Sequence, residues 1–367
     1  MTRSAVPQEL TIAATQPPVA WYSDPRIYAL EQERLFRPGP RYLGHAGMVP
    51  EAGDYQTLAW LDHARMLVRN ENGIELMSNV CRHRQAIMLE GRGNARHIVC
   101  PVHRWAYDRQ GRLLGAPRFS ENPCLHLDKH AVQNWRGLLF DGPRDPSADL
   151  AGVGFAEEFG RADWRLGRIV IDEYPVNWKT FVEVYLEDYH VSPFHPGLSH
   201  FVDLNELKWA FGGRWSVQTV GINQRLQRPG SPAYERWHRA VLGRDGERLP
   251  RHGGIWFMYY PNIMVEWYPH ALVVSIAIPR SPTHTTNLLE FYYPEDILRE
   301  APDFADAERE AYLETAREDD EICRRIERGR RALLMEGRSE AGPYQSPMED
   351  GMQHFHEYLQ RELAPHL

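Results

Sequence analysis

The chain has 367 residues, 43% hydrophobic and 25% charged, with a formal net charge of −8. That length can build two domains with full cores, and the acidic balance argues against nucleic acid as a partner. No apolar run reaches membrane-spanning length, no secretory h-region opens the chain, and four cysteines make no disulfide framework, so a reducing cytoplasm is expected.

Residues 1–20 read as a loose arm. A helix is predicted from Asp24-Pro25 to about Phe36, with Pro25 suited to its first turn. From about 40 to 142 the chain reads as short strands, among them 55–60, 65–69, 74–79 and 97–100, separated by Asp, Asn and Gly. Asn72-Gly73 is a hairpin turn between two of them.

This β-rich stretch contains Cys81-Arg82-His83 and Cys100-Pro101-Val102-His103, with sixteen residues between His83 and Cys100. Each cluster pairs one thiolate with one imidazole, and together they are the ligand set of a Rieske [2Fe–2S] centre. Two neutral imidazoles in place of two thiolates raise the reduction potential, which suits such a cluster to passing electrons on. A structural Cys2His2 zinc site uses the same ligand types, but a zinc finger usually keeps its two Cys in one half and its two His in the other. A zinc-stabilised binding module would be colourless. The residues that follow, Arg104 to Asp108 and then Gly111-Arg112-Leu113, are similar to the strand and turn that close a Rieske loop. Gln85 and Arg104 stand where that pattern often has Gly. Neither is a ligand, but both can change the cover and hydrogen bonding of a cluster.

Residues 143–147 read as a linker. A helix over 178–188 with apolar and acidic positions is predicted to end at Pro193. Strand-like stretches over 214–225, 255–268 and 271–279 predict an antiparallel sheet, and 303–335 reads as one long helix. The basic run Arg324 to Arg331 is read as a solvated face of that helix rather than a docking patch for an acidic redox partner. Cys124 and Cys323 are expected to be free thiols. The fold class is therefore α+β, a small all-β domain inserted before a larger antiparallel-sheet domain flanked by helices.

The segment from Glu187 to His195 holds a second candidate site. Glu187 and His190 stand at i and i+3 and would share a helix face. His195 lies beyond Pro193, where the chain can turn it back toward His190. One added carboxylate would make the 2-His-1-carboxylate triad of non-haem Fe(II) oxygenases, whose open positions admit dioxygen. Two ordinary histidines at a helix end are the alternative.

As a set, these motifs make the chain similar to the α subunit of Rieske non-haem iron oxygenases, the ring-hydroxylating oxygenases and related demethylases. The resemblance covers the N-terminal helix, the Rieske clusters, Asn177-Trp178-Lys179, the His pair and the late acidic helix. It implies an N-terminal arm and helix over 1–39, a Rieske domain over 40–145 and a catalytic mononuclear iron domain over 146–367. It implies that Cys81, His83, Cys100 and His103 hold a [2Fe–2S] cluster, and that His190 and His195 bind a mononuclear Fe(II). The third ligand is expected among Glu318, Asp319 and Asp320. The resemblance implies an Asp about one helical turn before an inward-packing hydrophobic or Cys position, which Asp319 and Cys323 match at i and i+4, so Asp319 comes first, with Asp320 second and helix solvation expected for the other acids.

Glu187 resembles the acid that bridges a mononuclear-site His to a Rieske His of a neighbouring subunit, and a Glu at that place is similar to carnitine and betaine monooxygenases. Asp188 is the adjacent alternative. Asn177 resembles a residue near the iron, with a helix-start role as the other reading. No nucleotide fingerprint is present, so electrons from NAD(P)H are expected through a separate reductase, with or without a ferredoxin. The resemblance further implies a homotrimer that uses O2 to hydroxylate, dioxygenate or O/N-dealkylate a small organic substrate. The aromatic-rich stretch 256–268 suits stacking on an aromatic compound and equally the caging of a quaternary ammonium; the broader use of the resembled family implies an aromatic substrate first, with a quaternary ammonium of the betaine or carnitine type second. A Rieske electron-transfer protein without oxygenase activity is the remote alternative.

Overall fold

A seven-stranded antiparallel sheet organises the second half of the chain. Its order across the sheet is Trp164–Tyr174, His284–Pro294, Ala271–Ser281, Ile263–Tyr268, Gly254–Tyr259, Trp215–Ile222 and Val202–Gly212. The computed structural model describes residues 14–223, 230–246 and 250–367.

Strand alternation divides the sheet into two functional faces. Ile263 and Val265 point into a core shared with Tyr42, Leu67, Leu139 and Phe140 of the small β domain. Met264, Glu266 and Tyr268 point the other way, toward a cavity beneath helices. Register places Trp256 and Val273 beside Glu266 on its two neighbouring strands. The catalytic half and the β domain thus grow from opposite faces of one sheet.

The small domain contains three sheets. One is five-stranded, and the two three-stranded sheets are Arg41–His45 with Leu138–Asp141 and Gln133–Trp135, and Ile98–Val99 with Ala106–Tyr107 and Leu113–Gly115. The hairpin at Asn72-Gly73 joins Arg65–Asn70 to Gly73–Ser78, as its turn chemistry predicts.

Several expectations need correction. The arm is tied down over its described part, with Gln16 bonded to Gly342 and Trp21 and Tyr22 buried, and residues 1–13 lie outside the described residues. The first helix is α-helical only over Pro25–Glu31 and continues as a π-helix over Gln32–Phe36. The predicted linker 143–147 runs into a helical turn, Pro146–Asp149, capped by Asp145. The stretch 255–268 is two strands joined by a turn, and the end of 214–225 (residues 224 and 225) lies outside the described residues. The strands Trp164–Tyr174, Val202–Gly212 and His284–Pro294, and the helix Asp350–Leu363, went unpredicted because polar residues interrupt their patterns.

The predicted helix over 178–188 stops at Tyr185. Beyond it, tertiary partners claim the backbone and side chain: the Asp188 amide donates to Met348 and its carboxylate accepts from Gln218. Pro193 ends nothing and sits inside a short helix, Val191–Phe194. The helix Trp178–Tyr185 is itself anchored through a fully buried pair. Lys179 Nζ lies 2.5 Å from Glu31, which also accepts from the Trp178 indole at 2.8 Å.

The long helix Pro302–Met335 matches its prediction almost end to end. Its basic run is only partly a solvated face. Arg324 and Arg325 pair with Asp320 and Glu321 one turn back, whereas Arg330 is drawn inward over the Tyr22 ring to Glu183 and Thr180.

Candidate functional site

The two cysteine clusters lie on a pair of loops closed by the same hydrogen bonds. The Cys81 amide donates to Ala86 and the Cys100 amide to Trp105, each at 2.8 Å. The Cys81 carbonyl accepts from Gln85 and the Cys100 carbonyl from Arg104, each at 3.1 Å. Gln85 and Arg104 both have left-handed backbones, with φ of 55° and 61°. Glycine adopts that conformation without penalty, which gives a physical reason for the family's preference at these two positions.

The thiols are buried and the imidazoles face outward. Nδ1 of His83 lies 3.2 Å from Nδ1 of His103, and His83 stacks on Trp105 with ring centroids 5.0 Å apart. Burial raises the Cys81 thiol above its ordinary range, and the neighbouring Cys100 adds to that shift. The Tyr107 hydroxyl lies 3.7 Å from the Cys81 sulfur and also accepts from the Arg82 amide. Two facing nitrogens opposite two adjacent sulfurs form a donor set that fits a mixed-ligand [2Fe–2S] cluster.

The second group forms where the turn after Trp178–Tyr185 meets the long helix. Ligand atoms of His190, His195 and Asp319 all lie within 4.8 Å of one another. The two Nε2 atoms are 3.0 Å apart. Asp319 Oδ1 lies 2.9 Å from Nε2 of His195 and 3.5 Å from Nε2 of His190, at angles that form no hydrogen bond. A buried carboxylate oxygen and two imidazole lone pairs therefore converge on one point, which fits a divalent metal. Burial pulls the His190 ring's pKa down, but Asp319 and Glu187 outweigh it and raise it to about 10. The site is built to hold positive charge.

Each ring is also fixed from behind. Glu187 contacts Nδ1 of His190, and Glu318 Oε2 lies 2.7 Å from Nδ1 of His195. Carboxylates in this place select the tautomer that presents Nε2. Glu187 and His190 meet in a turn, not on the helix face expected, and the His190 amide closes that turn on Glu187 at 3.1 Å.

Asp320 faces Arg324 in solvent and is turned away from the histidines. Asn177 is also corrected. It caps Trp178–Tyr185 by accepting from the Lys179 amide, and its side-chain nitrogen donates to Tyr22 and Pro282. With its amide so engaged, it does not line the cavity, and the helix-start reading stands.

The cavity beside the three ligating candidates has a volume of about 90 Å³. The long helix lines it with Tyr312, Thr315, Asp319 and Cys323, which share one face. The sheet contributes Trp256, Met264, Glu266 and Tyr268. Glu266 is 4% exposed, and its two oxygens accept from Tyr268 and Tyr312, both at 2.7 Å. Burial raises its carboxyl to about 7, although both hydroxyls draw it down. Among the described residues the lining includes Glu187, Asp188, Glu266 and Asp319 but no lysine or arginine.

Two of these roles go unread in the sequence. Glu318 is one of the three ligand candidates named there, but its place behind the His195 ring is not foreseen, although an acid directly before a ligand candidate can be tested as an imidazole partner. Glu266 lay unremarked in an aromatic strand, although alternation puts it and Tyr268 on one face.

Residues 41–134 match the Rieske [2Fe–2S] domain, and residues 160–364 match the ring hydroxylating alpha subunit (catalytic domain). The chain is 55% identical to a putrescine 2-hydroxylase of Ralstonia nicotianae, over 99% of this chain and 100% of the relative. It is 50% identical to a putrescine 2-hydroxylase of Bordetella bronchiseptica, over 96% of this chain and 85% of the relative. A solved quaternary ammonium Rieske monooxygenase, CntA, superposes with a TM-score of 0.72 at 20% identity, covering 94% of each chain.

Proposed function

The chain belongs to the Rieske non-haem iron oxygenases, and from that premise we propose that it is a terminal oxygenase that hydroxylates a carbon of a small protonated aliphatic amine of the putrescine type. The observation that carries the substrate class is the cavity wall, which holds two carboxylates beyond those engaged with the histidines, Asp188 and Glu266, and, among the described residues, no lysine or arginine. A neutral aromatic substrate offers nothing to such a wall, whereas an ammonium offers charge and N–H donors. The reading therefore moves from the aromatic compound expected first to an amine. The two relatives named as putrescine 2-hydroxylases agree with it.

Cys81, His83, Cys100 and His103 would hold the Rieske cluster, and His190, His195 and Asp319 the mononuclear iron. When bound, these groups supply one-electron storage and dioxygen activation. The protein's own part is placement. Glu187 and Glu318 hold the two imidazoles with Nε2 forward. Tyr185, Trp256 and Tyr268 wall the cavity and limit water beside the reacting carbon. The balance is R–H + O2 + 2 e⁻ + 2 H⁺ → R–OH + H2O, with both electrons drawn from NAD(P)H through a separate reductase. Glu187 also bridges toward a Rieske histidine of the neighbouring subunit in a homotrimer, as the family resemblance implies.

The test is turnover of 1,4-diaminobutane by iron-loaded protein with a ferredoxin-type reductase and NADPH under ¹⁸O2. A hydroxylated diamine carrying one ¹⁸O supports the proposal. Reductant-dependent hydroxylation of benzoate or naphthalene, with none of the diamine, would overturn it.

A further inference from the structure

The charges around the cavity are not all accounted for by the metal site. Asp319 is one of three ligating candidates, and Glu187 is bonded to the His190 ring. Asp188 and Glu266 remain. They are only 3% and 4% exposed, and both line the cavity. Their hydrogen-bond partners are neutral: the Gln218 amide for Asp188, and the Tyr268 and Tyr312 hydroxyls for Glu266. Among the described residues no lysine or arginine joins them in the cavity wall.

A buried acid avoids the cost of an unpaired charge either by keeping its proton or by pairing with a cation, so a cavity with two such acids and, among the described residues, no lysine or arginine favours a ligand that brings two positive charges. We propose that Asp188 and Glu266 form a two-point ammonium site that selects dicationic diamines over monoamines and quaternary amines. This rests on the amine-hydroxylase reading above and adds to it the groups that impose the choice. Asp188 comes from the turn before His190, and Glu266 from the sheet, so the two acids reach the cavity from separate elements.

The tyrosines explain how Glu266 can wait for a ligand. Each hydroxyl occupies one carboxylate oxygen, and each oxygen keeps a further lone pair for an N–H donor. The hydroxyls orient the acid without neutralising it. A monoamine satisfies one carboxylate and leaves the other buried without a cation. A quaternary ammonium has no N–H to donate and depends on aromatic faces. A charged hydrogen bond contributes enough that losing one should weaken binding about 10- to 100-fold.

The experiment is anaerobic calorimetric titration of the reduced, iron-loaded enzyme with 1,4-diaminobutane, 1-aminobutane and choline. Wild type should prefer the diamine over 1-aminobutane by about tenfold or more. Glu266→Gln should erase that preference while binding 1-aminobutane within about threefold of wild type, and Asp188→Asn should do the same. Tyr312→Phe keeps the charge, so it should weaken the diamine yet retain the preference. A merely structural role would depress all three ligands together. Should Glu266→Gln fail to fold, Glu266→Asp replaces it, with a reduced preference expected. A preference that survives in Glu266→Gln or Asp188→Asn, or is undiminished in Glu266→Asp, or is absent from wild type that still hydroxylates the diamine, overturns the two-point site. Wild type that neither binds nor hydroxylates any amine would instead sink the amine reading beneath it.

Discussion

Glu318 lies 2.7 Å from Nδ1 of His195, while Asp319, its neighbour in sequence, lies 2.9 Å from Nε2 of the same ring. Two consecutive helix residues thus hold one imidazole from opposite sides. Glu318→Ala should lower affinity for the mononuclear iron about 10- to 100-fold, as expected for loss of an outer carboxylate. Calorimetric titration of the mononuclear site with Fe(II) under anaerobic conditions checks this, with the EPR signal of the reduced Rieske cluster unchanged as the control. Iron affinity equal to wild type would show that Asp319 and the histidines suffice.

Glu187 offers a separate test because it contacts Nδ1 of His190 and accepts from the His190 amide. Glu187→Gln should retain both metals yet slow electron transfer from the Rieske cluster. Single-turnover kinetics of the pre-reduced enzyme measures this directly. A normal rate would remove Glu187 from the electron path.

The outward-facing imidazoles allow a redox prediction. His103→Cys should keep a cluster but lower its potential, since a thiolate adds the negative charge that a neutral imidazole withholds. Protein-film voltammetry reads the shift. An unaltered potential would count against His103 as a ligand.

Glu308 predicts a pH dependence away from either metal site. It is fully buried, its Oε2 accepts from Tyr293, and Oε1 has no partner. Burial raises its carboxyl from 4.5 to about 8, even though Tyr293 draws it down. The folded state therefore holds a proton that the unfolded chain releases near 4.5. That contribution to stability is complete below 4.5 and is lost as pH rises through about 8. Between pH 6 and pH 9, Glu308→Gln should lose less melting temperature than wild type, by about 2 °C or more. Parallel curves for the two proteins would exclude Glu308 as the source.

Much of this architecture was readable because the relevant signals are local. Cys81 to His83, Cys100 to His103 and the His190/His195 pair are short motifs, and the spacing of Asp319 and Cys323 follows directly from helix geometry. Asn72-Gly73 sets its hairpin by turn chemistry alone. What escaped depends on contacts distant in sequence. The helix from Trp178 ends at Tyr185 because Met348 and Gln218 take hold of Asp188, and no neighbouring residue announces either partner. Asn177 is a cap whose spare amide joins a short helical turn near the start of the chain to a remote strand turn. The significance of Glu266 depends on Tyr312, 46 residues away.

The long helix from Pro302 carries both Tyr312, which holds Glu266, and Asp319, which faces the histidines. They stand seven positions apart, two turns on one face, or about 10 Å along the axis at roughly 1.5 Å per residue. The distance between the tyrosine that holds Glu266 and the acid that faces the histidines is therefore set by a rigid ruler. Relatives could exchange the acids and aromatics along that ruler and so change which molecule is gripped, while the carbon presented for attack stays at a fixed distance from the grip.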